Sequence, residues 1–186
     1  MRKSENQQII ISGVGGQGVL FVTRLLAEAA IKKSLAVFTS ETHGMAQRGG
    51  TVLSHFKVGD YSSPLIRPAQ ADGLLALRAE NLTQHGAFLK DAGWVVVNGK
   101  DDEKMNKSKS LASIDADTLA REIGNPKAVN LIVLGFALAT AERKKENRNE
   151  LFCSLSEIKS VLQDRFGSKK EMLKASLKAL EVGYNT

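Results

Sequence analysis

Apolar and polar positions divide the chain into a front part, where short apolar runs alternate with helical stretches, and a back part that reads as helical. Gln8-Ile9-Ile10-Ile11-Ser12 is a continuous apolar run ending in glycines, the pattern of a buried strand. Behind the glycines, Val19, Val22, Leu25, Leu26 and Ala29 recur at helical spacing, with Arg24, Glu28, Lys32 and Lys33 on the opposite face. Residues 35–40 read as a second strand. Over 51–58, Val52, Ser54, Phe56 and Val58 share one side and Thr51, Leu53, His55 and Lys57 the other, a strand closed by Gly59-Asp60. Residues 74–77 and 94–98 are compact apolar strands, with a helix predicted over 79–90 between them. This alternation predicts an α/β fold of three-layer, Rossmann-like form: a mostly parallel sheet, helices on both faces and a helical C-terminal part.

In the back part, residues 129–141 are apolar nearly all round and predict a buried helix. Ser154-Leu155-Ser156-Glu157 and Ser168-Lys169-Lys170-Glu171 both match the capping-box pattern, and Gly167 between them reads as a helix stop. Ile158, Val161, Leu162 and Phe166 form the inward face after the first box; Met172, Leu173, Leu177 and Leu180 form it after the second. Residues 101–110 are lysine-rich and read as a surface connection. With no repeat and no sharp compositional break, residues 1–186 read as one domain.

Composition narrows the function. A chain of 186 residues with 42% apolar and 25% charged residues is long and apolar enough for a real core. Its single cysteine excludes an internal disulfide and any cluster needing about four thiolates. The longest apolar run, 128–141, falls short of the roughly 20 residues a membrane span needs, and the start of the chain shows no leader pattern. The reading is a cytoplasmic protein with no membrane contact. The formal charge is +6, with 11 Lys/Arg against 7 Asp/Glu in residues 1–100 and 15 against 13 in 101–186. Aromatic residues do not interleave with the basic ones as stacking platforms would, so no nucleic-acid partner is expected. The charge favours phosphorylated small molecules or an acidic partner subunit.

The chemical signal is concentrated in two loops. Gly13, Gly15 and Gly18 satisfy the GxGxxG spacing between a strand and a helix, where glycines let backbone amides approach an anion at the helix N-terminus. Gly16 extends the run, and Gln17 adds an uncharged amide at the same place. Glu41 follows at about the distance of a ribose-binding acid. Close helix-on-strand contact alone would also explain the glycines. The second loop, Glu41-Thr42-His43-Gly44-Met45-Ala46-Gln47-Arg48-Gly49-Gly50, should stand beside the first at the strand ends. There Arg48, ahead of Gly49, could clamp a phosphate or carboxylate or pair with a partner chain, and His43 and Gln47 add further polar side chains. His55 and His85 read as structural. Cys153 precedes a helix start that could acidify it, but no partner base is evident. No His/Cys/Asp/Glu grouping has metal-ligand spacing, so no metal is expected, and no catalytic set is contained in the chain.

Taken in order, residues 11–19, the loop Glu41 to Gly50, Ala71-Asp72-Gly73-Leu74-Leu75-Ala76-Leu77 and Tyr61-Ser62-Ser63-Pro64-Leu65-Ile66 resemble the gamma-type domain of 2-oxoacid:ferredoxin oxidoreductases. The form His43 to Gly50 most resembles the indolepyruvate branch of that family. The resemblance implies a subunit of a complex that oxidatively decarboxylates 2-oxoacids to acyl-CoA and passes electrons to ferredoxin. It implies thiamine diphosphate and iron–sulfur clusters in a larger partner subunit, and no cofactor held by this chain alone. It also implies a contact with coenzyme A through Gly13, Gly15, Gly16, Gln17 and Gly18, with Glu41 and Arg48 at the same rim. Two other readings stay open: a stand-alone NAD(P)-binding dehydrogenase using the glycine loop and Glu41, and a nucleotide-sensing module. Self-association into a homo-oligomer is also open.

Overall fold

The computed structural model describes residues 6–43, 50–99, 111–143 and 151–186. The lysine-rich connection predicted over 101–110 lies outside them. Ile9, Ile10 and Ile11 are all fully buried, so the strand that carries them, β1 (Gln7–Val14), needs cover on both faces and a neighbour along both edges. On one edge it pairs antiparallel with β3 (Thr51–Val58), placing Ile10 opposite His55. On the other it pairs parallel with β4 (Ala71–Ala76), placing Ile10 beside Leu74. Beyond β3 lies β2 (Val37–His43), again antiparallel. Beyond β4 come β5 (Leu89–Asn98) and β6 (Leu111–Ile114), both parallel to their neighbours. The order is β2-β3-β1-β4-β5-β6.

The sheet is mostly parallel, as predicted, and β3 alone runs against the other strands, which makes it mixed. The direction of β3 follows from chain length. The segment 44–50 between β2 and β3 is shorter than the dozen or so residues that a crossover to a parallel neighbour requires, so the chain turns back.

Side-chain alternation sends Ile9, Ile11, Phe56, Leu75 and Val96 to one face. There they meet α1 (Val19–Lys32), α3 (Ala116–Glu122), α4 (Val129–Arg143), α5 (Leu155–Phe166) and α6 (Lys170–Asn185). Ile10, Leu74, Ala76, Val95 and Val97 point to the other face. That face is covered more thinly, by α2 (Ala79–His85), a 3-10 turn over Gly86–Phe88, and Ile66. Helices lie on both faces, as predicted, but unequally.

Several boundaries move for identifiable reasons. The helix predicted over 79–90 stops at His85, because Leu89 is already in the sheet beside Ala71. Strand β6 and helix α3 were not legible in the sequence; Asp115 caps α3 by accepting from Thr118 N at 3.0 Å. The first capping box forms as predicted, with Glu157 N donating to Ser154 Oγ (3.3 Å) and Ser154 N to Glu157 Oε2 (2.7 Å). The second does not. Lys169 N bonds to Phe166 O (2.7 Å), so α6 starts after an N-cap at Lys169 that has no side-chain cap. Met172 is consequently 48% exposed rather than inward. Gly167 does close α5, but at φ −52° rather than in the left-handed conformation.

The charged face of α1 is not simply solvated. It docks α5 through Arg165–Glu28 and Lys32–Asp164 (2.5 Å each) and Lys33–Glu157 (3.5 Å). Such partly exposed pairs contribute about 0–1 kcal/mol each, so they orient α5 more than they hold it.

The closest approach in the helical layer is between α4 and α6. A Cβ on Gly135 would lie 2.0 Å from Leu180 O, and one on Gly183 would lie 1.9 Å from Ile132 O. Each glycine is thus a notch for the other helix's backbone. Gly135→Ala and Gly183→Ala should each lower stability by about 1–3 kcal/mol, read as a lower urea midpoint at unchanged slope. Lys178→Ala, on the exposed side of α6, should stay within about 0.5 kcal/mol of the parent.

Candidate functional site

The glycine loop leaves the buried strand β1 at Val14 and enters α1 at Val19. Gly18 is the N-cap residue at φ 82°, a left-handed conformation, and a Cβ there would lie 2.1 Å from Asn130 Nδ2. Asn130, 7% exposed at the start of α4, also points its amide at Gly18 O (3.4 Å). One helix start is therefore wedged against another. Gln17 folds back: its Oε1 accepts from Val14 N (2.8 Å), while its own N–H donates to Val14 O (3.0 Å). Gly15 N donates to Gly50 O (2.9 Å). That leaves the amides of Gly16 and Gly18 without a partner among the described residues. A Cβ at Gly16 would meet nothing within 4 Å, so this side of the loop faces open space.

Helix α1 has no side-chain cap and no acidic residue in its first turn. Its partial positive charge is therefore not offset locally, and beside it stand two amides without a partner among the described residues, an arrangement whose chemistry suits a small anion. Gln17 uses half of its side-chain amide to hold the loop, a part that spacing alone did not reveal.

The second loop does reach the first, through Gly50 and the Gly15 amide. Glu41 is different. It lies opposite Ser54 of β3, which lies opposite Ile11 of β1. Glu41 is thus two strands from the loop's own strand, a lateral offset of ~10 Å. In a dinucleotide-binding fold the ribose acid ends the strand next to β1, a place that the antiparallel β3 occupies here. His43 ends β2 in register with Val52 and, beyond it, Gly13. Gln47, Arg48 and Gly49 lie outside the described residues.

Sequence reasoning passed over several polar groups at the same strand ends. Ser12 Oγ, fully buried, shares a hydrogen bond with His85 Nδ1 (2.9 Å). Burial lowers the His85 pKa from its ordinary value and favours the neutral ring, partly opposed by a hydrogen bond to the Asn81 backbone. Asn81 is 2% exposed, and its Oδ1 has no partner among the described residues. Asn98, at the end of β5, accepts from Ala116 N (2.9 Å) and donates to Asp117 Oδ2 (2.8 Å), fixing α3 to the strand end. The only available signal for these groups was a polar residue closing an apolar run.

His55 is structural, as read: its Nδ1 accepts from Ile66 N (3.2 Å). Its pKa is lowered by burial first, then by Lys57 and His85. Cys153 corrects an expectation. Its thiol is not acidified by the following helix but pushed up to about 12, by burial first and then by Glu157. At 6% exposure, desolvation of the thiolate outweighs the helix end. Among the described residues, no three His, Cys, Asp or Glu side chains converge as a metal site. No helix there is long and apolar enough to cross a membrane.

The fold is a mixed six-stranded α/β sheet whose central strand leads through the glycine loop into an uncapped helix, with β2 and β3 returning against that loop. The chain matches the pyruvate ferredoxin/flavodoxin oxidoreductase family over residues 8–186, and it belongs to that family. It is 29% identical over 197 residues to the indolepyruvate oxidoreductase subunit IorB of Archaeoglobus fulgidus, covering 95% of this chain and 93% of that one. The gamma subunit of keto/oxoacid ferredoxin oxidoreductase from Geobacter sulfurreducens superposes with a TM-score of 0.75 at 24% identity, over 96% of each chain. The 2-oxoglutarate:ferredoxin oxidoreductase of Magnetococcus marinus, with 2-oxoglutarate, coenzyme A and succinyl-CoA bound, superposes with a TM-score of 0.77 at 22% identity. The match covers 98% of this chain and 31% of that longer one. These structural likenesses carry the fold, and the sequence matches carry the family. The chain is a subunit of the 2-oxoacid:ferredoxin oxidoreductase class.

Cys153 provides a check on the interior around α5. The native thiol should resist iodoacetamide at pH 8 and react at the rate of a free cysteine once urea unfolds the chain. Because the folded pKa lies above the unfolded one, stability should fall as pH rises from about 9 towards 12, where the unfolded thiol ionises and the folded one does not.

Proposed function

We propose that this chain is the gamma-type subunit of a thiamine diphosphate-dependent 2-oxoacid:ferredoxin oxidoreductase, acting on arylpyruvates such as indolepyruvate. Its glycine loop receives a phosphate of coenzyme A. In the overall reaction the 2-oxoacid loses its carboxyl group as CO2, the acyl group is joined to the coenzyme A sulfur with release of the thiol proton, and the electron pair passes to ferredoxin. Thiamine diphosphate supplies the decarboxylation chemistry, and iron–sulfur clusters relay the electrons. Both belong to a larger partner subunit by the family resemblance; for the clusters, the single cysteine here is also too few thiolates. The chain works as a single unit over residues 1–186, in the cytoplasm.

The observation that carries the reading is the pair of amides, Gly16 and Gly18, that have no partner among the described residues at the uncapped start of α1. Gly13, Gly15 and Gln17 shape the loop that presents them, and the family resemblance assigns His43, Gln47, Arg48 and Gly49 of the second loop to the same ligand, with Arg48 as the clamp. Glu41 marks the outer edge of that rim. Two further facts support the reading: coenzyme A is bound in the Magnetococcus marinus relative, and the Archaeoglobus fulgidus relative is an indolepyruvate oxidoreductase subunit. The dehydrogenase alternative is weakened by β3, which separates Glu41 from the loop.

Anaerobic purification from the native host should recover this chain with a brown, cysteine-rich subunit containing iron and thiamine diphosphate. Recovery of the chain without such a partner over a range of salt would count against the reading. Gly16→Asp adds a carboxylate to the open side of the loop; at φ 91° any side chain is strained, so Gly16→Asn, equally strained but uncharged, is the control that should leave KM nearer the parent value. In the assembled complex Gly16→Asp should raise KM for coenzyme A by about tenfold or more through charge repulsion, with ferredoxin affinity unchanged. An unchanged KM would remove coenzyme A from this loop. Arg48→Ala should leave folding intact and lower activity at limiting coenzyme A, or weaken assembly.

A further inference from the structure

At the opposite edge of the sheet lies a pocket of about 460 Å³ that the glycine-loop reading does not use. Its floor is Gln8, at the start of β1, and Lys57, opposite it near the end of β3; its wall is the segment after β3, with Tyr61, Ser62, Ser63 and Arg67. Gln8 and Val14 stand at the two ends of β1, ~20 Å apart, so this pocket and the glycine loop cannot share one phosphate. The segment Tyr61 to Ile66 was among those carrying the family resemblance, yet it has no part in the function proposed above.

Lys57 is the unusual member. The residue is only 7% exposed and lines the pocket, with its ammonium 5.1 Å from the ring centroid of Tyr61, which lines it too. Among the described residues no carboxylate lies within ion-pair distance of Lys57 or of Arg67. The Lys57 ammonium lies nearer the surface than its covered stem, with no carboxylate beside it, and burial followed by Arg67 lowers its pKa from the ordinary lysine range. Asp72, the acid that acts on Tyr61, does not fill the need. Its two oxygens are taken by Lys90 Nζ (2.6 Å) and Gln8 N (2.8 Å). Burial, with Asp72 second, raises the Tyr61 pKa, so its hydroxyl stays protonated and can donate. Gln8 Nε2 is fixed on Gln70 O (3.0 Å), which holds the floor to the wall.

We propose that this pocket is a second oxyanion site, which takes a phosphate group of a small molecule. The ammonium of Lys57 supplies a point charge, Arg67 a planar fork at the mouth, and Tyr61, Ser62 and Ser63 hydroxyl donors. The concave shape and the volume suit a small ligand. The proposal stands independently of the coenzyme A assignment, because it concerns residues at the other end of the strands.

The test uses the full chain, labelled for amide NMR, titrated separately with inorganic phosphate, pyrophosphate and ADP. Shifts should centre on residues 57–67. Arg67→Gln, at the exposed rim, and Lys57→Met should each weaken them by about tenfold or more. Lys57→Met should also leave the thermal midpoint unchanged or raised, because it removes a charge with no carboxylate beside it, whereas a merely structural lysine would lower it. Equal affinity for phosphate and ADP would identify free phosphate as the ligand; tighter ADP binding would identify a nucleotide-type diphosphate. The proposal is overturned if none of the three probes shifts residues 57–67, or if the shifts survive both substitutions. It also fails if both substitutions spare the shifts' affinity but reduce recovery of the larger subunit, which would make the pocket a protein contact.

Discussion

Burial of β1 on both faces is the constraint from which most of this structure follows. Three adjacent isoleucines with no exposed surface require one cover for Ile9 and Ile11 and another for Ile10. They also require a hydrogen-bonded neighbour on each edge, because a buried strand cannot leave its amides unpaired. Each such side chain contributes about 1.5–3 kcal/mol when fully buried. β1 is thereby held at the centre of the sheet, and the place where it ends is fixed. The glycine loop inherits that position. Its open amides are presented by the most securely held strand in the domain.

The antiparallel strand β3 then determines what kind of site the loop can be. It brings Gly50 to the Gly15 amide and so ties the second loop to the first. By the same insertion it moves Glu41 one strand further out than a ribose-binding acid would stand. The loop keeps the anion-binding half of the dinucleotide arrangement and loses the half that reads a ribose. The displaced Glu41 separates this loop from a dinucleotide site and agrees with the function proposed above.

The helical layer gives that edge its rigidity. Asn130 at the start of α4 fills the space where a side chain on Gly18 would be, so the loop's shape depends on where α4 sits. α4 in turn is notched into α6 through Gly135 and Gly183. The C-terminal helices, which carry no recognisable chemistry of their own, thus act on the loop through contact alone.

The periodic features were legible in the sequence because they are local. The isoleucine strand, the amphipathic α1, the Ser154–Glu157 cap and the strand–glycines–helix order each depend on residues a few positions apart. Family membership was legible too, from loops read in order. What only the tertiary structure decided depends on partners far apart in the chain. The direction of β3 depends on how β2 returns, the shift of Cys153 on burial rather than on its neighbouring helix, and the coupling of Asn130 to Gly18 on a separation of more than a hundred residues. The same holds for the pocket at Lys57, whose missing counter-ion shows only once Asp72 is seen to be held by Lys90. Hydrophobic spacing records which side of an element faces inward; it does not record what lies opposite, and that is what sets charge, burial and access at a site.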